Sequence, residues 1–484
     1  METEHLIASH LAEWHAATRH PFLDAVRDGT LPPDAFHTWL VQDYRFVGDL
    51  LRFQARLLAR APRRAQPVLA GGLVALVSEL GWFESQAQQR GLRLDAPAHP
   101  VAAAYGELLA RLEHQPFAVG ITALWALERA YLEAWQHAAP GAPAFRPFVE
   151  HWTVPEFAAY VAGLADAANE ALAAAEDAGG LAEQAFLEVT RLERDFWQMA
   201  WEAAPPALPA TTAASEVLAP APGLTSGSGR PGTQAGPAAP GVMPPEPFAG
   251  TAPAPELAMG RPPPAHRHQM GLAARLWLAE QELAQQALEH PFVRALGEGT
   301  LDRERFKRYI AQDAFFLEAF ARAYALALAR SADREGMAAF FELLKGALDE
   351  LDLHRGYAQQ WQIDLAAVEP AQATLAYTDF LLATAALGSL GEVCAAMVPC
   401  MRLYAFLGQS LLAARGDRLE RHPYAEWIRT YSSQEFEGLA ERLEALLDRY
   451  AHDTPPVRGA YHRAMRLEVA FFEAAFAAPA ETTG

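Results

Sequence analysis

Two stretches of the chain decide the fold: His20–Phe46, which reads HPFLDAVRDGTLPPDAFHTWLVQDYRF, and His290–Phe316, which reads HPFVRALGEGTLDRERFKRYIAQDAFF. They are identical at 11 of their 27 positions and align without a gap. The tract LERDFW at 192–197 also matches LEVAFF at 467–472. A period this long predicts a duplicated domain rather than a solenoid of short repeats.

Both copies have the pattern of amphipathic helices. In FKRYIAQDAFFLEAFARAYALALAR, at 306–330, apolar residues recur every three or four positions. In GTLPPDAFHTWL, at 29–40, a proline pair is followed by Asp34, which is typical of a helix start. We find no alternating runs of β-branched residues. The sequence predicts an all-α protein made of two helical bundles, each with a site between its helices.

The two copies are separated by a stretch rich in proline, alanine and glycine. Sixteen of the 35 prolines lie between Pro205 and Pro264, where Phe248 is the one aromatic residue. Such a composition buries too little apolar surface to offset the chain entropy lost on folding. We therefore predict a helical domain at 1–203, a disordered linker at 204–267 and a second helical domain at 268–480.

Composition excludes several classes of protein. With 39 Lys and Arg against 59 Asp and Glu among 484 residues, the net charge is −20, which disfavours nucleic acid as a partner. The two cysteines, Cys394 and Cys400, exclude a disulfide framework and point on one helix in directions too far apart to pair. We see no signal peptide and no long uninterrupted apolar run, so we expect a cytoplasmic protein without a membrane span.

The C-terminal copy offers a candidate nucleophile. Cys400 lies in the apolar tract EVCAAMVPCMRLYAFLGQSLL, and Tyr404 follows one helical turn later on the same face. A thiol beside a phenol inside a bundle suits covalent catalysis. The alternative is that Cys400 packs as a small apolar residue, as we expect of Cys394.

Buried carboxyl groups are the second class of candidate. Asp313 follows Gln312 in an apolar helix, and Gln42 and Asp43 repeat the pair, so the cost of burying a carboxylate is incurred twice. A cap or a salt bridge is the alternative. Glu468 and Glu193 precede aromatic residues, and an apolar pocket would raise their pKa toward working pH, unless they are exposed helix glutamates.

Two further observations concern Tyr431 and metal ligands. Tyr431 precedes a helix start with a capping serine, where it either lines a pocket or packs in the core.

A di-iron bundle would need Glu-x-x-His pairs, and neither copy has one inside a clearly predicted helix. Glu350 and His354 are spaced differently, so we predict no metal and no other cofactor.

Four separated motifs together resemble the TenA family, also called thiaminase II or aminopyrimidine aminohydrolase. They are HPFxxxLxxGTLxxxxFxxYxxQD, PCMRLY, TYSSQEF and LExAFF, in this order between 272 and 479. The resemblance implies the heme-oxygenase-like helical fold, an enzyme without a metal, and assembly into oligomers.

The resemblance also implies a role for each matching residue of the C-terminal copy. Cys400 would be the nucleophile, and Glu468 would transfer a proton. Asp313 would hold the aminopyrimidine, with Tyr404 and Tyr431 in support. One position departs from the pattern: Phe316 stands where a tyrosine commonly follows the QD pair, which removes a hydroxyl from the expected pocket.

The N-terminal copy resembles the branch of the family that uses glutamate in place of cysteine, since residues 1–203 contain no cysteine. The markers are SELGWFES at 78–85, LWALERAYLEAW at 124–135 and FVEHWTVPEF at 148–157. The expected site residues are Asp43, Phe46, Glu128, Tyr131, Trp152 and Glu193. The alignment of the two copies places Glu128 opposite Cys400 only to within one residue. The same holds for Tyr131 opposite Tyr404.

The activity that the resemblance implies is hydrolytic deamination of 4-amino-5-aminomethyl-2-methylpyrimidine in thiamin salvage. The N-terminal copy would act on a related aminopyrimidine, including a formylated one. The partner is then a small molecule, and either a homo-oligomer or pairing of the two copies within the chain would bury the remaining surfaces. The alternatives are a non-catalytic pyrimidine-binding protein, a heme-oxygenase-like di-iron oxidase and a cofactor-free oxidase.

Overall fold

The computed structural model describes residues 2–203, 270–360 and 368–477, and all regular elements in these ranges are helices. The prediction of an all-α protein is therefore confirmed for the described residues. The predicted disorder of 204–267 lies outside them. For clarity, we call the segments before and after this gap the N-terminal half and the C-terminal half.

The N-terminal half contains ten α-helices. They are α1 (Thr3–Ser9), α2 (Leu11–Thr18), α3 (Pro21–Asp28), α4 (Pro33–Ala59), α5 (Gln66–Arg90), α6 (Pro100–Leu112), α7 (Phe117–His137), α8 (Arg146–Trp152), α9 (Pro155–Ala174) and α10 (Gly179–Glu202). Asp34 lies in the first turn of α4, as its position after the proline pair predicts.

The C-terminal half repeats this order. Its described helices are α11 (Leu272–Ala279), α12 (Gln281–Glu289), α13 (Pro291–Glu298), α14 (Arg303–Arg330), α15 (Arg334–Gln360), α16 (Gln372–Leu387), α17 (Leu390–Arg415), α18 (Ala425–Tyr431), α19 (Gln434–Tyr450) and α20 (Pro455–Phe476). Ser433 caps α19 by accepting a hydrogen bond from the Phe436 amide, which confirms the predicted helix start.

The repeated HPF motif is a helix cap. In α13 the His290 ring accepts a hydrogen bond from the Phe292 amide at 3.1 Å, and in α3 His20 does the same for Phe22 at 3.2 Å. Each short helix then ends at a glycine with φ of 75°, a left-handed conformation that disfavours other residues. The motif therefore fixes both ends of the helix that leads into α4 or α14.

Each half is built around a central helix that is buried on most of its surface. In the N-terminal half this is α7, in which Trp125 and Trp135 are fully buried, and in the C-terminal half it is α17. Both helices carry apolar residues on all sides, as expected for a core helix. The functional side chains on α7 and α17 therefore face other helices.

The two halves contact each other where α4 and α5 meet α14 and α15. Glu318 accepts hydrogen bonds from Arg63 at 2.6 and 3.0 Å and from Gln66 at 2.9 Å. Arg322 also binds Glu318 at 2.9 Å and reaches the Ala61 carbonyl at 3.2 Å. The two halves therefore pair within one chain.

Two described helices, Gln66–Arg90 and Leu390–Arg415, are long and apolar enough to cross a membrane by length and composition alone. Helices at the core of water-soluble bundles meet the same criterion. In the second helix, 72% of the apolar window is buried among its neighbours, against 39% in the first. The pattern is thus weak evidence for a span, and the expectation of none stays a prediction.

Candidate active sites

In the C-terminal half, four helices bring the candidate residues together. Asp313 comes from α14, Cys400 and Tyr404 from α17, Tyr431 from α18 and Glu468 from α20, and all five are buried. Most of them surround a small closed cavity of about 10 Å³. It is lined by Asp313, Phe316, Leu317, Phe320, Glu350, Cys400, Met401, Tyr404, Tyr431 and Phe436.

The Cys400 thiol and the Glu468 carboxyl are neighbours whose interaction shifts the pKa of both groups. Burial raises the pKa of this thiol well above its ordinary value, and the negative charges of Glu468, Glu350 and Asp313 act in the same direction. Pro399 precedes it inside α17, where the missing N–H removes one helical hydrogen bond. Cys400 therefore rests as a thiol that needs a base, and Glu468 is the base within reach.

Glu468 is 2% exposed, so the alternative of an exposed helix glutamate is wrong. Its Oε1 accepts a hydrogen bond of 2.7 Å from the Tyr377 hydroxyl on α16. Burial raises the pKa of Glu468 to about 8, although the hydrogen bond from Tyr377 lowers it. Such a carboxyl exchanges protons readily near neutral pH.

The two residues of the QD pair in α14, Gln312 and Asp313, have different roles. The Gln312 side chain accepts hydrogen bonds from the Ala371 amide and the Thr374 hydroxyl, both at 2.7 Å, and donates to the Glu369 carbonyl at 3.0 Å. It thereby anchors the start of α16. Gln42 binds the Pro97 carbonyl and the His99 amide in the same way. The aspartate that follows faces the interior in both halves.

Asp313 forms a salt bridge inside the site. Its Oδ2 lies 2.8 Å from Nε2 of His354, and Nδ1 of that ring lies 2.9 Å from the Glu350 carbonyl oxygen. Burial lowers the pKa of His354, but Asp313 outweighs it and raises this pKa to about 9. The salt-bridge alternative for Asp313 is thus correct, and it does not exclude a role at the pocket that Asp313 lines.

Three ligand atoms of Asp313, Glu350 and His354 lie within 4.8 Å of one another, close enough to surround one cation. Glu350 and His354 do not form a Glu-x-x-His pair, but residues four apart face the same side of α15, which brings both side chains to Asp313. The Glu350 carboxyl also accepts a 2.5 Å hydrogen bond from Tyr431, and burial raises its pKa to about 6.

Aromatic rings form the remaining walls. The Phe316 ring lies 4.7 Å from that of Tyr377 and 5.2 Å from that of Phe320, so the position without a hydroxyl packs against other rings. The Tyr404 hydroxyl accepts a 3.1 Å hydrogen bond from Tyr309. The site therefore offers flat apolar faces for an aromatic ring.

Gly408 places Tyr431 in the site. A Cβ atom at position 408 would lie 2.5 Å from the Tyr431 carbonyl carbon, far inside contact distance. Only glycine allows α17 to approach the end of α18 this closely. The Tyr431 ring then meets the Tyr404 ring with centroids 4.8 Å apart.

The N-terminal half contains a much larger cavity of about 750 Å³. Its lining includes all the candidates of this half except Glu193. The lining residues are Asp43, Phe46, Val47, Leu50, Val68, Gly71, Gly72, Ala75, Leu76, Ser78, Glu79, Trp82, Leu127, Glu128, Tyr131, His151, Trp152, Val154, Glu156, Phe157 and Tyr160.

Four carboxyl groups interact around this cavity. Burial raises the pKa of Asp43 and Glu128 well above their ordinary values and those of Glu79 and Glu193 to about 7. Negative neighbours raise the pKa of Glu128 further. A site with this many acidic groups favours a ligand that carries hydrogen-bond donors or a positive charge.

Several hydrogen bonds repeat between the halves. The Tyr105 hydroxyl donates to Glu193 at 2.5 Å, as Tyr377 does to Glu468. The Trp152 indole donates to Glu79 at 2.8 Å, as the Tyr431 phenol does to Glu350. Glu193 is 3% exposed, so the exposed alternative is wrong here too.

Tyr131 and Asp43 form a pair that differs from the C-terminal half. The Tyr131 hydroxyl donates to Oδ2 of Asp43 at 2.5 Å. If Tyr131 is matched with Tyr404, the chain positions place Leu127 opposite Cys400 and Glu128 one residue further on. Both Leu127 and Glu128 line the cavity, so the glutamate reaches the site within that one-residue uncertainty.

Six side chains that hold these sites together were not predicted as site residues from the sequence. Tyr377, Glu350 and His354 support the C-terminal site, and Tyr105 and Glu79 support the N-terminal one, while Tyr309 anchors Tyr404. One signal was available for Glu350 and His354, because a glutamate and a histidine one turn apart share a helix face. Single tyrosines in apolar helices give no such signal.

Comparison with known proteins agrees with this architecture. The TENA/THI-4/PQQC family profile matches the chain twice, at residues 7–203 and 277–478. An aminopyrimidine aminohydrolase of Halalkalibacterium halodurans is 39% identical over 187 residues, which are 38% of this chain and 83% of that relative. The bifunctional TH2 protein of Arabidopsis thaliana is 37% identical over 227 residues, which are 42% of this chain and 37% of that relative.

Among solved structures, a TenA homologue from Pyrococcus furiosus matches with 32% identity and a TM-score of 0.39. The match covers 42% of this chain and all of that structure. The two matched regions of the family profile together span well over half of the 484 residues. The chain therefore belongs to the TENA/THI-4/PQQC family, as a tandem of two such domains.

Proposed function

We propose that the chain is an aminopyrimidine aminohydrolase of thiamin salvage, which converts 4-amino-5-aminomethyl-2-methylpyrimidine to the hydroxymethyl pyrimidine in its C-terminal half. The observation that carries the proposal is the placement of the Cys400 thiol beside Asp313 around one buried cavity, where the thiol also interacts with the Glu468 carboxyl. Relatives named aminopyrimidine aminohydrolase, at 31–39% identity, support the same class of reaction.

The chemistry begins with proton transfer. Glu468 takes the thiol proton as the Cys400 sulfur adds to the electron-poor pyrimidine ring, so the thiolate forms only during attack. Glu468 then gives this proton to the aminomethyl nitrogen, which leaves as ammonia. Water adds to the exocyclic carbon, and its remaining proton returns through Glu468 to the sulfur, which leaves the ring as the Cys400 thiol. The net reaction consumes one water for each ammonia released.

Asp313 would bind the amidine edge of the pyrimidine, because a carboxylate matches the paired nitrogens of that edge in a charge-assisted contact. Phe316 and the Tyr404 ring would stack on the flat faces of the substrate. The closed cavity of about 10 Å³ is smaller than a pyrimidine ring, so lining side chains must move when the substrate enters.

For the N-terminal half we propose a related aminopyrimidine as substrate, including a formylated one. Asp43 would bind the amidine edge, and Glu128 or Glu193 would move protons. The support is the larger cavity of about 750 Å³ and its acidic lining, which suit a longer substrate with several donors. The proposed domain boundaries at 203 and 268 would let each half keep one complete site.

Two other functions make different predictions. A non-catalytic pyrimidine-binding protein would bind the substrate without forming product. A di-iron oxidase would contain iron, and the cluster of Asp313, Glu350 and His354 is the observation that favours metal binding. Metal analysis of the purified chain tests the oxidase alternative, with less than about a tenth of an iron per chain expected for the hydrolase.

The experiment that tests the proposal is mass-spectrometric turnover of 4-amino-5-aminomethyl-2-methylpyrimidine. It compares the intact chain with Cys400→Ser and with Cys394→Ala, a control at the other buried cysteine of α17. We expect hydroxymethyl pyrimidine from the intact chain and from Cys394→Ala. For Cys400→Ser we expect a loss on the order of 10³-fold.

Other outcomes lead to different conclusions. Equal product from Cys400→Ser and the intact chain would move the activity to the N-terminal carboxyl groups. Binding without product from either protein would favour the non-catalytic alternative. Turnover of the formylated pyrimidine by Cys400→Ser, abolished by Glu128→Gln, would support the proposed role of the N-terminal half.

A further inference from the structure

His354 has acceptors at both ring nitrogens. Nε2 faces Oδ2 of Asp313 at 2.8 Å, and Nδ1 faces the Glu350 carbonyl oxygen at 2.9 Å. A neutral imidazole has one N–H, whereas the imidazolium ion has two and can donate to both acceptors. The ring is 3% exposed, so this geometry indicates a buried His354 cation paired with the Asp313 carboxylate.

In the described N-terminal half, the position that matches His354 is not a histidine. Glu79 and Glu350 occupy matching places, since each accepts a hydrogen bond from the aromatic residue at the end of α8 or α18. Four residues after Glu350 comes His354, but four residues after Glu79 comes Phe83. The Phe83 ring is fully buried and lies 5.4 Å from that of Trp82.

A second difference between the halves, at Tyr309 and Trp39, explains why Asp43 and Asp313 have different hydrogen-bond partners. In the C-terminal half, Tyr309 donates to the Tyr404 hydroxyl at 3.1 Å. Trp39 stands at the matching position of the repeated stretch and has no hydroxyl to offer. The Tyr131 hydroxyl instead donates to Asp43. One aspartate is thus held by a phenol and the other by an imidazolium.

We propose that His354 is the positioning residue of the C-terminal site, where it fixes the plane and the charge of the Asp313 carboxylate toward the pyrimidine, and that Phe83 denies Asp43 this support. The proposal rests on the proposed function for the identity of the substrate. It predicts that the halves differ in how tightly they orient the amidine edge, because a fixed ionised carboxylate loses less freedom on binding.

The test is a double-mutant cycle on kcat/KM with His354→Gln and Asp313→Asn in the full chain. If His354 acts through Asp313, the double variant is no slower than Asp313→Asn alone. His354→Gln keeps one donor and is expected to lose about 10-fold, while His354→Phe, which copies the N-terminal half, loses about 100-fold. Independent, multiplying losses would overturn the positioning role.

A second readout does not depend on turnover. Nitrogen-15 NMR of the substrate-free chain is expected to show both ring nitrogens of His354 protonated at pH 7, with the signal assigned by its loss in His354→Gln. A neutral ring would overturn the proposal. So would a divalent ion found by metal analysis at about one per chain and lost in His354→Gln, because Nε2 would then bind the metal.

Failure of the proposed function would look different. The intact chain would then turn over no aminopyrimidine, whatever the NMR spectrum shows, and the positioning role would be overturned with it. Phe83→His serves as the reciprocal variant. We expect it to create an Asp43–imidazolium pair, visible as one additional doubly protonated ring, without changing the C-terminal kcat/KM.

Discussion

The Tyr377 hydroxyl donates a hydrogen bond of 2.7 Å to Oε1 of Glu468, the carboxyl that also interacts with the Cys400 thiol. This bond lowers the pKa of Glu468 against the larger effect of burial, which raises it to about 8. Tyr377 therefore controls how much of Glu468 is ionised, and so able to accept the thiol proton, near neutral pH.

We expect kcat/KM to rise with pH toward about 8 as Glu468 ionises. Tyr377→Phe removes the hydrogen bond that favours the carboxylate, so this rise should move to higher pH and the rate at pH 7 should fall. The matched control is Tyr461→Phe, also a buried tyrosine, whose hydroxyl has no hydrogen-bond partner. A pH profile unchanged in Tyr377→Phe would contradict the assignment of the base.

Glu318→Ala should destabilise the chain by about 3 kcal/mol, because it leaves Arg63 and Arg322 without their shared carboxylate between the halves. Chemical unfolding measures the loss. Asp349→Ala is the control, since its bond to Lys345 is solvent-exposed and should contribute less than about 1 kcal/mol. Equal effects of the two variants would show that the Glu318 contacts do not hold the halves together.

The N-terminal half should lose stability as pH rises. Glu79 has a folded-state pKa of about 7 against an ordinary value of 4.5, so between these values the folded chain holds more protons than the unfolded chain. Its contribution is fully present below about 4.5 and is lost as pH passes 7, at a cost of about 3 kcal/mol.

Unfolding free energies at pH 5 and pH 8 test this directly. Glu79→Gln should show a smaller drop between the two values than the unchanged chain. The exposed Glu150 on α8 provides the control, and Glu150→Gln should keep the full drop. If all three proteins show the same pH dependence, Glu79 is ionised in the folded state at both values.

Gly408→Ala should displace Tyr431, because the new Cβ would lie 2.5 Å from backbone that cannot rotate away. We expect a loss of about 1–3 kcal/mol in stability together with slower turnover. Gly459→Ala on α20 is the control, since its Cβ would enter open space, and a small gain in stability is expected there. Normal turnover in Gly408→Ala would show that the position of Tyr431 does not matter.

Most of the helices could be predicted from local sequence patterns. The HPF motif and the glycine that follows it mark the two ends of α3 and α13, and the period of the apolar residues predicts the long helices. The same holds for Asp313, because a carboxylate in an apolar tract must find a partner wherever the chain folds. Residues of this kind can be predicted from the local sequence, without knowing which side chains surround them in the fold.

The supporting contacts could not be predicted in this way. Tyr377 meets Glu468 across 91 positions of sequence, and His354 meets Asp313 across 41, so each pair depends on how the helices pack. Glu318, which contributes to the contact between the halves, has the sequence pattern of an ordinary surface residue of an amphipathic helix. Its role appears only when α4 lies beside α14.

The contact between the two halves is also asymmetric. Extending the alignment of the repeated stretches by two residues places Gly48 opposite Glu318, so the exchanged position offers no carboxylate for the same pair. In an assembly of identical chains, every substitution appears on both sides of a symmetric interface. In this chain, a substitution in one half changes only one side of the contact between the halves. Gene duplication therefore allows each half to accept substitutions that the other half does not share.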